Sequence, residues 1–189
     1  MTARATTARA SAGDRVIVRP ARPEDAAQII VYARGVFAEP GINLITMADE
    51  FNPTTESEAR MISEMNRATN SLFLVAEDDG RIVGQLTLQG GKRRNVRHAA
   101  TLGITVGREY RGRGIGRRLM AYAIDWARAG GVVRRIELNV FVRNSHAIRL
   151  YESCGFAVEG RRRRAAQRDG EYLDDLVMGL LLDDLPQTE

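Results

Sequence analysis

Six consecutive residues, Arg111-Gly112-Arg113-Gly114-Ile115-Gly116, combine positive charge with glycine at alternate positions. Upstream, Thr101-Leu102-Gly103-Ile104-Thr105-Val106 has the composition of a strand. Downstream, Arg117 to Trp126 carries an unbroken helical pattern. A strand, a glycine-punctuated turn and a helix N-terminus together aim free backbone N–H groups at an anion. Glycine removes the Cβ atoms that would hold phosphate oxygens away, and it accepts positive φ. The chemistry implied is the grip of a phosphate-bearing ligand. Spacing excludes two familiar versions of that grip. A dinucleotide fingerprint counted from Gly112 needs its third glycine where Arg117 stands, and a Walker loop ending at Lys92 needs glycine at Leu86 and a hydroxyl residue at Arg93. What fits is Arg-x-x-Gly-x-Gly, read at Arg111, Gly114 and Gly116.

A second stretch, Asn144-Ser145-His146-Ala147-Ile148-Arg149-Leu150-Tyr151-Glu152-Ser153-Cys154-Gly155-Phe156, follows the strand-like run Ile136 to Val142. Asn144 is a good helix N-cap, and Ala147, Ile148 and Tyr151 then share one face. Gly155 stands where the helix ends, and Phe156 opens the next strand. Tyr151 brings a phenol that can give a proton to a leaving group.

These two motifs, in this order, resemble those of the GNAT superfamily of N-acetyltransferases. Arg111, Gly114 and Gly116 match its acetyl-CoA diphosphate loop, Arg/Gln-x-x-Gly-x-Gly/Ala. Every named position of the signature N-x-x-A-I-x-L-Y-E-x-x-G-F is present from Asn144 to Phe156. The resemblance covers roughly Val16 to Leu182. It is nearest to a bacterial subset that acts on amino acids and related small amines: a basic loop and then His98 precede the central strand, Val140-Phe141-Val142-Arg143-Asn144 leads into the signature, and Arg168-Asp169-Gly170-Glu171-Tyr172 forms a hairpin.

The resemblance implies an α/β fold, a mixed and mostly antiparallel sheet with helices on both faces. It implies acetyl-CoA lying between the central strand and the strand ending at Val142, with direct transfer to an amine through a tetrahedral intermediate. Backbone groups at Ile104, Thr105 and Val106 then pair with the pantetheine amides, and the Val106 N–H faces the thioester oxygen. The N–H groups from Arg111 through Gly112, Arg113, Gly114, Ile115 and Gly116 to Arg117 cradle the diphosphate, the Arg111 and Arg113 side chains adding charge. Asn144 and Ala147 contact the cofactor, and Tyr151 takes the general-acid position. A homodimer, formed through the last strands, also follows from the resemblance.

The general base is less plain. Deprotonating a lysine-like amine at pH 7 costs about 4.6 kcal/mol, but a peptide α-amine only about 1.4. His98-Ala99-Ala100-Thr101-Leu102 holds no carboxylate, which leaves His98, Glu137 on the neighbouring strand, or a water relay. The acceptor should meet the segment from Phe37 to Phe51 and the final hairpin. Phe37, Glu39, Glu50 and Phe51 are the candidates there, with Asp49 as a further acid. A free amino acid or small primary amine is the expected acceptor. A protein N-terminal or ribosomal-protein acetyltransferase and a non-catalytic acyl-CoA sensor stay open as alternatives.

These groups need elements to hold them. Val16 to Arg19 reads as a short strand, and Pro23 to Ala27 opens a helix with proline and acids in its first turn. Glu39 to Pro53 is irregular, and Thr54 or Thr55 caps a helix reaching about Arg67. Leu72 to Glu77 and Arg81 to Leu88 alternate around Asp78-Asp79-Gly80, a hairpin. Gly90 to Asn95 is a basic loop before the central strand, Arg97 to Val106, in which Gly103 suggests a bulge. Phe156 to Gln167 and Glu171 to Leu182 form a second hairpin.

With 189 residues and 44% hydrophobic content, the chain can bury one core. Residues 15–185 read as a single domain and residues 1–14 as a disordered tail. No stretch of about 18 apolar residues suggests a membrane span. Cys154 is the single cysteine, which suits a reducing cytoplasm. His98, His146 and that cysteine supply no metal-binding spacing. The net charge of +4 rests almost wholly on arginine. No recognition motif points to nucleic acid, and the run Arg161-Arg162-Arg163-Arg164 reads as a strand sending neighbours to opposite faces.

Overall fold

The computed structural model describes residues 15–183; residues 1–14, with the tail expected there, lie outside them. Its elements follow the expected order: β1 (Ile17–Pro20), α1 (Ala26–Phe37), α2 (Thr55–Arg67), β2 (Leu72–Asp78), β3 (Arg81–Gly90), β4 (Ala99–Val106), α3 (Ile115–Gly130), β5 (Arg135–Phe141), α4 (Ser145–Ser153), β6 (Ala157–Arg168) and β7 (Glu171–Leu181). Among the described residues these seven strands form one sheet, in the order β1-β2-β3-β4-β5-β7-β6. Every neighbouring pair is antiparallel except β4 with β5.

Helices cover both faces because the strands alternate. On β2, Leu72, Leu74 and Ala76 join a core under α3 that includes Ile115, Leu119 and Met120. Phe73 and Val75 point the other way, to Ile29 of α1 and Ile62 of α2. Local signals fix the helix starts. Thr54 accepts the Ser57 N–H at 3.1 Å, and Ser57 Oγ takes the Thr54 N–H at 2.9 Å, a reciprocal cap for α2. No helix among the described residues is long and apolar enough to cross a membrane.

Two expectations need correction. Gly103 is no bulge: it sits opposite Thr87 in an unbroken β3–β4 register. A Cβ there would come within 3.3 Å of Thr87 Oγ1, so the small residue keeps that face open. The arginine run does not alternate either. The β6–β7 register shifts between Arg162 and Ala166, and Arg164 takes φ +54°, so the strand bulges there. Arg161 pairs with Asp174 at 2.7 Å and Arg162 with the buried Asp175 at 2.5 Å, neutralising much of that charge.

Candidate active site

Strand β4 decides where a ligand can enter. The Gly107 N–H donates to the Val83 carbonyl at 2.9 Å, and the Ala99 carbonyl accepts the Gly91 N–H at 2.9 Å. Odd-numbered residues of β4 therefore spend their main chain on β3, and even-numbered residues face β5. The His98 carbonyl obeys this rule, accepting the Arg134 N–H at 2.8 Å and the Arg135 N–H at 3.1 Å. Yet β4 and β5 pair only from Ala99↔Arg135 to Thr101↔Glu137. Beyond that point the strands part, and the main-chain groups of Ile104 and Val106 face a gap. Thr105, expected to offer its backbone, spends it on β3 and instead meets the Tyr32 hydroxyl through its own, at 3.1 Å. Burial pushes the Tyr32 phenol well above its ordinary range.

Beyond β4 the chain makes the glycine turn that precedes α3. Gly112 and Gly114 take φ of +74° and +76°, and a Cβ at either would meet nothing within 4 Å. Gly114 caps α3 without a side chain, so the N–H groups of Ile115, Gly116 and Arg117 carry no side-chain cap. The first turn of α3 holds no acid and instead bears Arg117 and Arg118, against the preference of the helix dipole. A bound anion resolves that conflict, so the turn fits a diphosphate. Gly116 serves packing: a Cβ there would press to 3.1 Å from Leu150 Cδ2 of α4.

The arginine side chains around the turn have partners within the chain. Arg111 Nε donates to the Val106 carbonyl at 2.8 Å, and its Nη2 lies 2.7 Å from Glu39 Oε2. Arg108 approaches the same carboxylate at 3.7 Å. Arg113 stacks over the Tyr110 ring at 5.2 Å. Glu39, expected to attract an amine, is thus already neutralised by two guanidinium groups.

On the α3 side, Asn144 Oδ1 caps α4 by accepting the Ala147 N–H at 3.3 Å. One turn on, Tyr151 is buried beside Phe156, with ring centroids 6.0 Å apart. No described residue hydrogen-bonds its hydroxyl, and that oxygen is not fully enclosed. Desolvation, with a smaller effect of Cys154, pushes the phenol up to about 12.

Around the paired end of β4 and β5, His98 and Glu137 come to one groove of about 780 Å³, with Gln89, Lys92, Thr101 and Arg135. Opposed residues on paired strands share a face, so Gln89, Thr101 and Glu137 form a row across the sheet. Glu137 ends that row at the last β4–β5 pair. The segment after α1 is pinned by side chains of β6 and of the loop after β5. Arg168 of β6 donates to the carbonyls of Ile42 and of Leu44, the latter at 2.8 Å, and Arg143 Nε donates to Asn43 Oδ1 at 2.7 Å. Phe37 and Phe51 meet edge to face at 4.9 Å. Glu50 turns back on its own loop, accepting the Met47 N–H at 2.8 Å. Tyr32, Arg135 and Arg143 are singled out by no motif, and Arg168 only as part of the last hairpin; the fold alone shows what each of them touches.

Comparison with known proteins agrees with this geometry. The sequence profile described as the Acetyltransferase (GNAT) family matches residues 42–156. The chain is 41% identical over 105 residues to L-amino acid N-acetyltransferase AaaT of Escherichia coli, a match spanning 56% of this chain but 65% of that relative's length. It is 28% identical over 177 residues to L-amino acid N-acyltransferase MnaT of the same organism, covering 91% of this chain and 97% of the relative. Among solved structures, a GNAT-family acetyltransferase from Streptococcus pneumoniae superposes with a TM-score of 0.85 at 32% identity, covering 89% of this chain and 99% of the other. The fold also matches, at TM-score 0.80 and 22% identity, a Salmonella typhimurium protein solved with its cofactor acetyl-CoA, over 93% and 98% of the two chains. With the parted strands, the uncapped helix and its glycine turn all in place, the chain belongs to the GNAT family of acetyltransferases.

Proposed function

We propose that this protein moves the acetyl group of acetyl-CoA onto the amine of a free amino acid or another small primary amine. The observation that carries the reading is the gap that opens beside Ile104 and Val106 where β4 and β5 stop pairing, with the Glu137 groove at its paired end. The N–H groups of Ile115, Gly116 and Arg117 hold the diphosphate, and the main chain of Ile104 takes the place of a missing strand for the pantetheine. The Val106 N–H steadies the oxygen that gains charge as the thioester carbon is attacked.

Tyr151 stays protonated across the physiological range, since its phenol titrates near 12. A thiol titrates near ~8.5, so complete transfer from Tyr151 to the departing thiolate would be uphill by about 5 kcal/mol. Tyr151 therefore donates a hydrogen bond to the thiolate and passes on the proton the amine releases. Glu137 receives the acceptor's ammonium group, and His98 stands ready in the same groove as a base.

Two facts favour a small acceptor. The relatives AaaT and MnaT are named for L-amino acids. The loop after α1 is tied to Arg111, Arg143 and Arg168, which restrains it from opening for a long peptide. The test is acetyl-CoA-dependent thiol release over a panel of L-amino acids, polyamines and short peptides, with Tyr151→Phe as control. Turnover on an amino acid, reduced about 10²–10⁴-fold in the variant while coenzyme A still binds, supports the reading. Turnover only on a peptide amine moves the protein to the N-terminal acetyltransferases, and binding without any turnover makes it a sensor.

A further inference from the structure

Beside the groove lies an ion cluster that spans three strands and is built rather than incidental. Arg135 of β5 holds Glu159 of β6 with both terminal nitrogens, Nη1 to Oε1 at 2.7 Å, and its Nε reaches Glu137 Oε2 at 3.3 Å. The Arg135–Glu159 pair crosses β7 at Gly179, where a Cβ would come within 2.7 Å of Glu159 Cδ and 3.0 Å of Arg135 Nη1. Any other residue at Gly179 would lift the pair off the sheet. Glu159 also stands at the register shift between Val158 and Gly160, where β6 carries one residue more than β7. A glycine and a bulge thus make room for one bidentate pair, and its free end meets Glu137.

The charges explain what that arrangement does. Arg135 alone would neutralise Glu137 and blunt its attraction for an ammonium group. Glu159 engages the guanidinium first, so two carboxylates and one guanidinium leave the cluster with one negative charge. Glu137 keeps 43% of its side-chain surface open, and only its Oε2 is tethered. The other charged or titratable groups of the groove are Lys92 and His98.

Resting on the acceptor site proposed above, we infer that Glu159 is a positioning residue for amine recognition: acting through Arg135, it fixes Glu137 at the mouth of the β4–β5 gap and preserves its negative charge toward the acceptor's ammonium group. Glu159 itself touches no substrate.

Steady-state kinetics test this with the fastest amino acid of the panel as probe. Glu159→Gln is expected to raise KM for the amine about fivefold or more, with kcat within twofold of wild type and KM for acetyl-CoA unchanged. Adding Arg135→Gln restores one net negative charge, so the double variant should recover most of the lost amine affinity, even though it removes a second ion-pair partner. A purely structural pair predicts the opposite, a double variant no better than the single. An unchanged amine KM in Glu159→Gln, equal rises in both KM values, or no recovery in the double variant overturns the inference. Absence of turnover in the wild type refutes instead the acceptor reading on which it rests, and melting curves of both variants establish that they are folded.

Discussion

Replacing Glu39 by glutamine should tighten acetyl-CoA binding, although it removes an ion pair from the edge of the site. Glu39 Oε2 lies 2.7 Å from Arg111 Nη2, and the contact is ionic rather than a well-aligned hydrogen bond. Two unit charges about 4 Å apart attract by about 4 kcal/mol at an effective dielectric near 20. The Arg111 side chain is 38% exposed, so solvent reduces the net worth of the pair to about 1 kcal/mol. Arg111 begins the turn proposed to receive the diphosphate, so Glu39 and that anion would compete for one guanidinium. Glu39→Gln removes the competitor, so the Kd for acetyl-CoA should fall about fivefold, the equivalent of about 1 kcal/mol. Isothermal titration in low salt measures this, and the gain should shrink at high salt as screening weakens both contacts. In an Arg111→Gln background the same substitution should change Kd by less than twofold. A weaker or unchanged Kd for Glu39→Gln refutes the competition, and would mean that Glu39 holds Arg111 ready for the ligand.

Two further outcomes follow from particular residues. Gly114→Ala places a Cβ at φ +76°, where strain and not collision is the penalty; the fold should lose about 1–2 kcal/mol, and acetyl-CoA affinity should fall as the new methyl enters the anion's approach, read by thermal melts and titration. Glu58 of α2 is buried without an ion-pair partner among the described residues, and desolvation raises its carboxyl above the usual range. The native state therefore holds this proton longer than the unfolded chain, so stability falls as pH rises from the unfolded carboxylate value through the raised native one. Glu58→Gln should raise the melting temperature by about 3 °C at pH 7 and by nothing below pH 4; an equal gain at both pH values would exclude ionisation as the cause.

Contiguous features were legible from the residues alone. The glycine turn before α3 and the α4 segment are each formed within about a dozen residues, and their glycines and caps act on their own backbone. The order of strands and helices followed from apolar periodicity and turn residues for the same reason. The helix face that Tyr151 occupies was legible too, because it is set by spacing from the Asn144 cap.

What the chain order did not reveal was how distant charges meet. Glu39 lies far along the chain from Arg111, and Arg135 from Glu159, yet strand pairing brings each pair together and changes its meaning. Sequence offered Glu39 as one candidate acid for the acceptor, and packing sets it 2.7 Å from Arg111. The parting of β4 and β5 is likewise a property of two strands, since no residue of β4 by itself says where its neighbour leaves. The residues alone singled out a glycine turn suited to phosphate and a candidate proton donor; only tertiary structure decided which charges remain exposed, because an ion pair depends on what lies within a few ångströms and not on what lies next in the chain.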